Sequence, residues 1–113
     1  MVVQQELTDA EVNRIFRALA DATRRDIVRR TLVAEISVSR LAEAYDMSFA
    51  SVQKHVAVLE EARLVTKEQN GRERMVRGEP ARIRQTQLLL DQFEQLWRSR
   101  IDRLDALLEE TED

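Results

Sequence analysis

Apolar positions along the 113-residue chain recur at helical intervals over five stretches and alternate over one. Thr8 followed by Glu11 makes a capping-box pattern, and Val12, Ile15, Phe16 and Leu19 then share a face, predicting a first helix from about Asp9 to Ala20. Asp21-Ala22-Thr23 interrupts the pattern. Thr23 is expected to cap a second helix with the stripe Ile27, Val28, Leu32 and Val33. Ser37 suits the cap of a short third helix, with Val38, Leu41, Ala42 and Tyr45 inward, and Asp46-Met47 makes a tight turn. Ser48 opens a fourth helix in which Phe49, Val52, Val56 and Leu59 recur until near Ala62. Two short helices across a tight turn are a helix-turn-helix pattern.

Beyond Ala62 the period shortens. Residues 64–69 alternate, Asn70-Gly71 signals a two-residue type I′ turn, and residues 72–77 return, predicting a charged β-hairpin. Gly71 and Gly78 read as turn residues. Glu79-Pro80 then opens a long helix with Leu89, Phe93, Trp97, Ile101, Leu104 and Leu108 in one seam. The expected architecture is mainly α with a small β-hairpin: four helices, two strands and a fifth helix, in a single domain spanning 1–113. The outer helices, about 9–20 and 81–110, serve as dimerisation arms.

Composition narrows the chemistry. With no Cys, disulfides, thiol redox sensing, thiolate metal sites and cysteine nucleophiles are excluded, and one His makes a zinc site improbable. No apolar run approaches the roughly 18 residues of a membrane span, and residues 1–6 lack a signal-peptide pattern. No membrane association and a cytoplasmic location are therefore expected. The sequence offers no convergent nucleophile, base and pocket, no phosphate-binding glycine loop and no metalloprotease motif, so no catalytic residue, cofactor or metal is expected and the chain is not read as an enzyme. The net charge of -3 is unevenly spread. Residues 40–84 hold nine Lys/Arg against seven acids, and residues 85–113 three against eight. The middle is basic and the tail acidic, a balance compatible with nucleic-acid binding without favouring it.

On the fourth helix Val52, Val56 and Leu59 define an inward face with Phe49 close to it. Ala50, Ser51, Lys54, Ala57 and Val58 fall outside, and Gln53 at the edge. Small residues that let a backbone approach base edges, beside Gln and Lys long enough to reach them, suit a helix read into the DNA major groove. Ser51, Gln53 and Lys54 are the expected base-reading residues. Ser48, His55, Arg72 and Arg74 are expected on the DNA backbone or in the wing, His55 alternatively tying down a neighbouring carbonyl. Arg24, Arg25, Arg29 and Arg30 either touch phosphates or form a salt-bridged surface. Phe16, Leu89, Phe93, Trp97, Ile101, Leu104 and Leu108 make the expected dimer seam, too large for one small domain to bury; the alternative is a last helix folded back on its own domain.

In order, Ile15-Phe16-Arg17-Ala18-Leu19-Ala20-Asp21-Ala22-Thr23-Arg24-Arg25, Leu41-Ala42, Val52-Gln53-Lys54-His55 and Val58-Leu59-Glu60-Glu61-Ala62-Arg63-Leu64-Val65 resemble the ArsR family of winged helix-turn-helix repressors. The resemblance runs from about Val12 to Gly78 and more loosely through the last helix. It implies a homodimer on an inverted-repeat operator, usually repressing, released by an effector whose identity the sequence leaves unknown. Metal-sensing members carry a Cys pair where this chain has Glu35-Ile36-Ser37-Val38-Ser39-Arg40-Leu41, and a second metal site uses His on the last helix, which here has none. The chain more closely resembles the branch without those ligands. The family's usual Gly before Leu-Val is Arg63, which is expected to disfavour a left-handed helix cap, and its usual Pro after Asp is Ala22. The alternative function is a winged-helix protein-interaction module that does not bind DNA specifically.

Overall fold

The computed structural model describes residues 6–111. Eight elements follow in the order α1 (Asp9–Leu19), α2 (Ala22–Val33), β1 (Ile36–Ser37), α3 (Val38–Glu43), α4 (Phe49–Glu61), β2 (Val65–Asn70), β3 (Glu73–Gly78) and α5 (Pro80–Glu110). The capping box at α1 forms as expected: the Thr8 hydroxyl accepts from the Glu11 amide, and the Glu11 carboxylate accepts from the Thr8 amide, each at 3.1 Å. Ser37 and Ser48 cap α3 and α4, and Pro80 stands in the first turn of α5. At α2 the cap is Asp21 rather than Thr23, its Oδ2 accepting from the Arg24 amide at 3.0 Å.

Ile15 and Ala18 of α1, Ile27 and Val28 of α2, Leu41 of α3, and Val52, Val56 and Leu59 of α4 converge with Leu64, Val65 and Val76 into one core. The expected stripe of α2 is half right. Leu32 is half-exposed and Val33 is 84% exposed, while the core position belongs to Thr31, whose hydroxyl donates to the Ile27 carbonyl at 2.8 Å. A methyl-bearing hydroxyl satisfied inside its own helix can face the core, which removes any need for Val33 there.

Ile36 and Ser37 pair with Val76 and Met75, so the expected two-stranded hairpin is a three-stranded antiparallel sheet in the order β1-β3-β2. The turn also differs. Asn70 pairs with Glu73, the two loop residues are Gly71-Arg72, and only Gly71 has positive φ, at 65°. That is the type II′ pattern, with glycine first, rather than a type I′ turn at Asn70-Gly71. Gly78 is no turn residue either. It is buried at the end of β3, where an added Cβ would lie 2.8 Å from the Leu32 side chain, and it is this close approach that lets α2 rest on the sheet.

Arg63 adopts the left-handed conformation, φ 60°, that its side chain was expected to disfavour. The amides of Leu64 and Arg63 donate to the carbonyls of Leu59 and Glu60 at 3.0 and 2.9 Å, closing a Schellman motif. Leu64 and Leu59 are both fully buried, and their contact fixes the direction in which the chain leaves α4 for β2.

α5 leaves the domain. From Leu90 to Thr111 every residue is exposed, and the radius of gyration is 19.7 Å against about 13 Å for a compact chain of this length. Its first turn is anchored by Arg82, which is 7% exposed. The guanidinium donates to the Ala62 carbonyl at 3.0 Å and to Glu11 at 2.9 Å, binding the ends of α1, α4 and α5 together.

Candidate nucleic-acid interface

The outer surface of α4 carries two ridges. Ser48, Ser51 and His55, spaced three and four apart, form one; Gln53 and Lys54 belong to the other. The second ridge faces the hairpin. Gln53, Lys54, Ala50 and Ala57 line a notch of about 340 Å³ with Lys67 of β2 and Arg74 of β3, over a floor that includes Val38 and Val56. Small side chains on the helix and long cations at its margins leave a concave, positively charged surface.

The register of the hairpin sorts its charges. Val65, Lys67 and Gln69 on β2 stand opposite Gly78, Val76 and Arg74 on β3, on the face that meets α4. Glu68 and Glu73 alternate onto the other face, so they dilute the hairpin's total charge without entering the notch. Lys67 is held over α4 by Glu60 at 3.4 Å, a partly exposed pair that orients the lysine. Arg72 occupies the exposed tip of the turn, and Arg77 turns away toward Glu79 at 3.7 Å.

The expected site residues thus divide into three groups. Gln53, Lys54 and Arg74 share the notch; Ser48, Ser51 and His55 lie on the flank; Arg72 stands alone at the tip. Ser48 Oγ accepts from the Ser51 amide at 3.1 Å, and the two hydroxyls lie 2.9 Å apart, so Ser51 enters any contact already tied to the cap. His55 is half-buried, with Nδ1 3.2 Å from Arg24 Nη1. Phe49, expected near the inward face, is 46% exposed at the first position of α4. Lys67, one of the four cations that the sequence places around the hairpin tip with Arg72, Arg74 and Arg77, joins Gln53, Lys54 and Arg74 in the notch, in keeping with its inward place in the alternation of β2 two residues after the buried Val65.

The four arginines of α2 are engaged within the protein. Arg24 Nε donates to the Ala18 carbonyl, Arg25 to the Leu19 carbonyl, and Arg29 and Arg30 to Asp26. The Tyr45 hydroxyl also donates to Asp26, at 2.5 Å, pinning the turn between α3 and α4 to α2. That bond, with Arg30, holds the Asp26 carboxyl below its ordinary range, and burial together with Asp26 pushes Tyr45 up to about 12.

At the positions of the family's cysteine pair, Ser37 accepts from the Arg40 amide at 3.1 Å as the cap of α3, and Ser39 is exposed. Two hydroxyls, one committed to a helix end, do not fit a soft metal. Among the described residues no three His, Cys, Asp or Glu side chains group as metal ligands, and no helix is long and apolar enough to cross a membrane.

No protein-family model matches the chain. It is 36% identical over 81 residues to the HTH-type transcriptional regulator Rv2034 of Mycobacterium tuberculosis, covering 72% of this chain and 76% of that protein. An ArsR-like transcriptional regulator from Rhodococcus sp. RHA1 superposes with a TM-score of 0.80 at 30% identity, covering 91% of this chain and 94% of that one. A crystal structure of another ArsR family transcriptional regulator gives 0.78 at 32% identity, covering 84% and 98%. The chain belongs to the ArsR family. As an ArsR-family protein it is a winged helix-turn-helix transcriptional regulator, with α3 and α4 as the helix-turn-helix and β2-β3 as the wing. A homodimeric winged helix-turn-helix DNA-binding domain from Mycobacterium bovis shares this fold, with a TM-score of 0.63 at 22% identity over 83% of this chain and 91% of that domain.

Proposed function

We propose that this regulator acts as a homodimeric repressor on an inverted-repeat DNA operator, with α4 in the major groove and the wing on the neighbouring backbone. The observation that carries the reading is the notch: Gln53 and Lys54 of α4 with Lys67 and Arg74 of the wing on one concave surface. In this arrangement Gln53 and Lys54 read base edges, aided by Ser51, while Lys67, Arg72 and Arg74 hold phosphates and set the depth of the helix. Ser48 and His55 touch the backbone on the other flank. Phe16 and the α5 seam of Leu89, Phe93, Trp97, Ile101, Leu104 and Leu108 pair the protomers, presenting two copies of α4 about one DNA turn apart. No step of this reading needs a cofactor, a metal or a catalytic residue.

A gel-shift on the DNA upstream of the protein's own gene tests it. Gln53→Ala and Lys54→Ala should narrow the gap between specific and mixed-sequence binding. Arg74→Ala should weaken binding to every sequence and lower the salt slope by about one. Unchanged discrimination in both α4 variants would remove the assigned reading face.

A further inference from the structure

We propose that Arg24 is a positioning residue that sets the His55 ring so that its Nε2–H is presented to a DNA phosphate; the phosphate half of this rests on the DNA reading above. Arg24 Nε donates to the Ala18 carbonyl at 2.7 Å and Nη2 to the Arg17 carbonyl at 3.1 Å, both at the C-terminal end of α1. Those carbonyls lie where a helix runs out of its own amide donors and where a cation is favoured. The guanidinium is therefore fixed before it meets the imidazole. Its remaining arm, Nη1, reaches His55 Nδ1 at 3.2 Å.

A guanidinium can only donate, so Nδ1 must supply the lone pair, and in the neutral ring the proton sits on Nε2. Asp21 Oδ2, at 3.9 Å from Nδ1, is too far to accept a hydrogen bond from it. Among the described residues Nε2 has no hydrogen-bond partner and no fully buried side-chain nitrogen or oxygen is unpaired, so Nε2 reaches solvent. It does so on the ridge shared with Ser48 and Ser51, beside the bases that Gln53 and Lys54 would read. Of the α2 arginines, Arg24 thus acts on DNA through the histidine rather than by touching it.

Nitrogen-15 NMR of the free protein reads the ring directly. The wild type should show a protonated Nε2 and an unprotonated, hydrogen-bonded Nδ1, and Arg24→Met should admit the Nδ1–H form. On a short duplex of mixed sequence, His55→Ala should weaken binding about tenfold or more, the worth of one hydrogen bond from a neutral donor to a charged acceptor. The salt slope should stay unchanged, because a neutral donor releases no counterion. Arg24→Met should cost about the same, and the double variant no more than either single one. His55→Ala leaves both carbonyl bonds of Arg24 intact, so it reports even where Arg24→Met folds poorly. A wild-type ring protonated on Nδ1 would overturn the proposal, as would additive losses or a salt slope lowered by about one in Arg24→Met, which would put Arg24 itself on a phosphate. A wild type that binds no duplex at any salt overturns the DNA reading and the phosphate half with it, while the nitrogen shifts still decide whether Arg24 sets the ring.

Discussion

Replacing Arg63 by glycine should make the protein more stable, although it removes a charged surface residue from the end of the proposed reading helix. The residue sits at φ 60°, where an L side chain crowds its own carbonyl; the left-handed conformation costs an ordinary residue about 1–2 kcal/mol. Arg63 is exposed and its side chain makes no hydrogen bond or ion pair among the described residues, so little is lost with it. Glycine frees the unfolded chain and returns about 0.4–1 kcal/mol of that gain. The net expectation is about 0.5–1 kcal/mol of added stability, or roughly 2–4 °C in Tm. Urea and thermal unfolding at one fixed protein concentration measure it, since assembly makes Tm concentration-dependent. Arg63→Ala is the control: alanine keeps the strain and loses the charge, so it should stay near the wild type. If alanine stabilised as much as glycine, the charge rather than the backbone would be responsible and the strain argument would fail.

Arg82→Met should destabilise by about 1–3 kcal/mol, because the carbonyl of the buried Ala62 loses its donor; a variant within a few tenths of the wild type by urea denaturation would show the clasp to be incidental. Glu11 is held down from 4.5 to about 2 by the Thr8 amide first and by Arg82 next. A depressed carboxyl contributes stability above its unfolded value that is lost as pH falls. The advantage of the wild type over Glu11→Gln should be constant near neutrality and shrink as pH drops from 4.5 toward 2, as acid unfolding curves would reveal. Trp97, 57% exposed in the protomer, has roughly 100–140 Å² to cover, worth about 2.5–3.5 kcal/mol in each of the two protomers. Trp97→Ala should therefore weaken the proposed dimer at least a hundredfold, read by sedimentation velocity; an unmoved monomer–dimer balance would place the interface elsewhere.

Four of the helices were legible because each repeats an apolar spacing over three turns or more, and α1, α3 and α4 begin with a hydroxyl that caps in place. β1 was not, since two residues carry no period and their partner, β3, lies almost forty residues on. The turn was misplaced for a related reason. Asn70-Gly71 satisfies a local rule, but the register is set from the other end, where glycine at position 78 must lie beneath Leu32 and bring Val76 into the core. At Arg63 local preference lost to packing, the burial of Leu64 against Leu59 outweighing a left-handed arginine. Arg82 left a trace that went unread: a cation four residues before Thr86 on the inward side of α5 is out of place unless it is paired. In the candidate site, spacing identified α4 and its outer residues. The separation of the wing's charges into two faces became visible only once the strand pairing was known, and the bond between Arg24 and His55 spans thirty-one residues with no pattern to announce it.

The bare stretch of α5 from Leu90 onward also bears on how long each molecule lasts. A helix of this length without a covering surface is only marginally stable in water, so an unpaired protomer holds its last turns weakly and opens them to proteases. The proposed pairing through α5 would seal the same stretch. Newly made chains at low abundance would then be cleared fastest, and those that accumulate enough to associate would persist, setting a lower limit below which the protein does not build up.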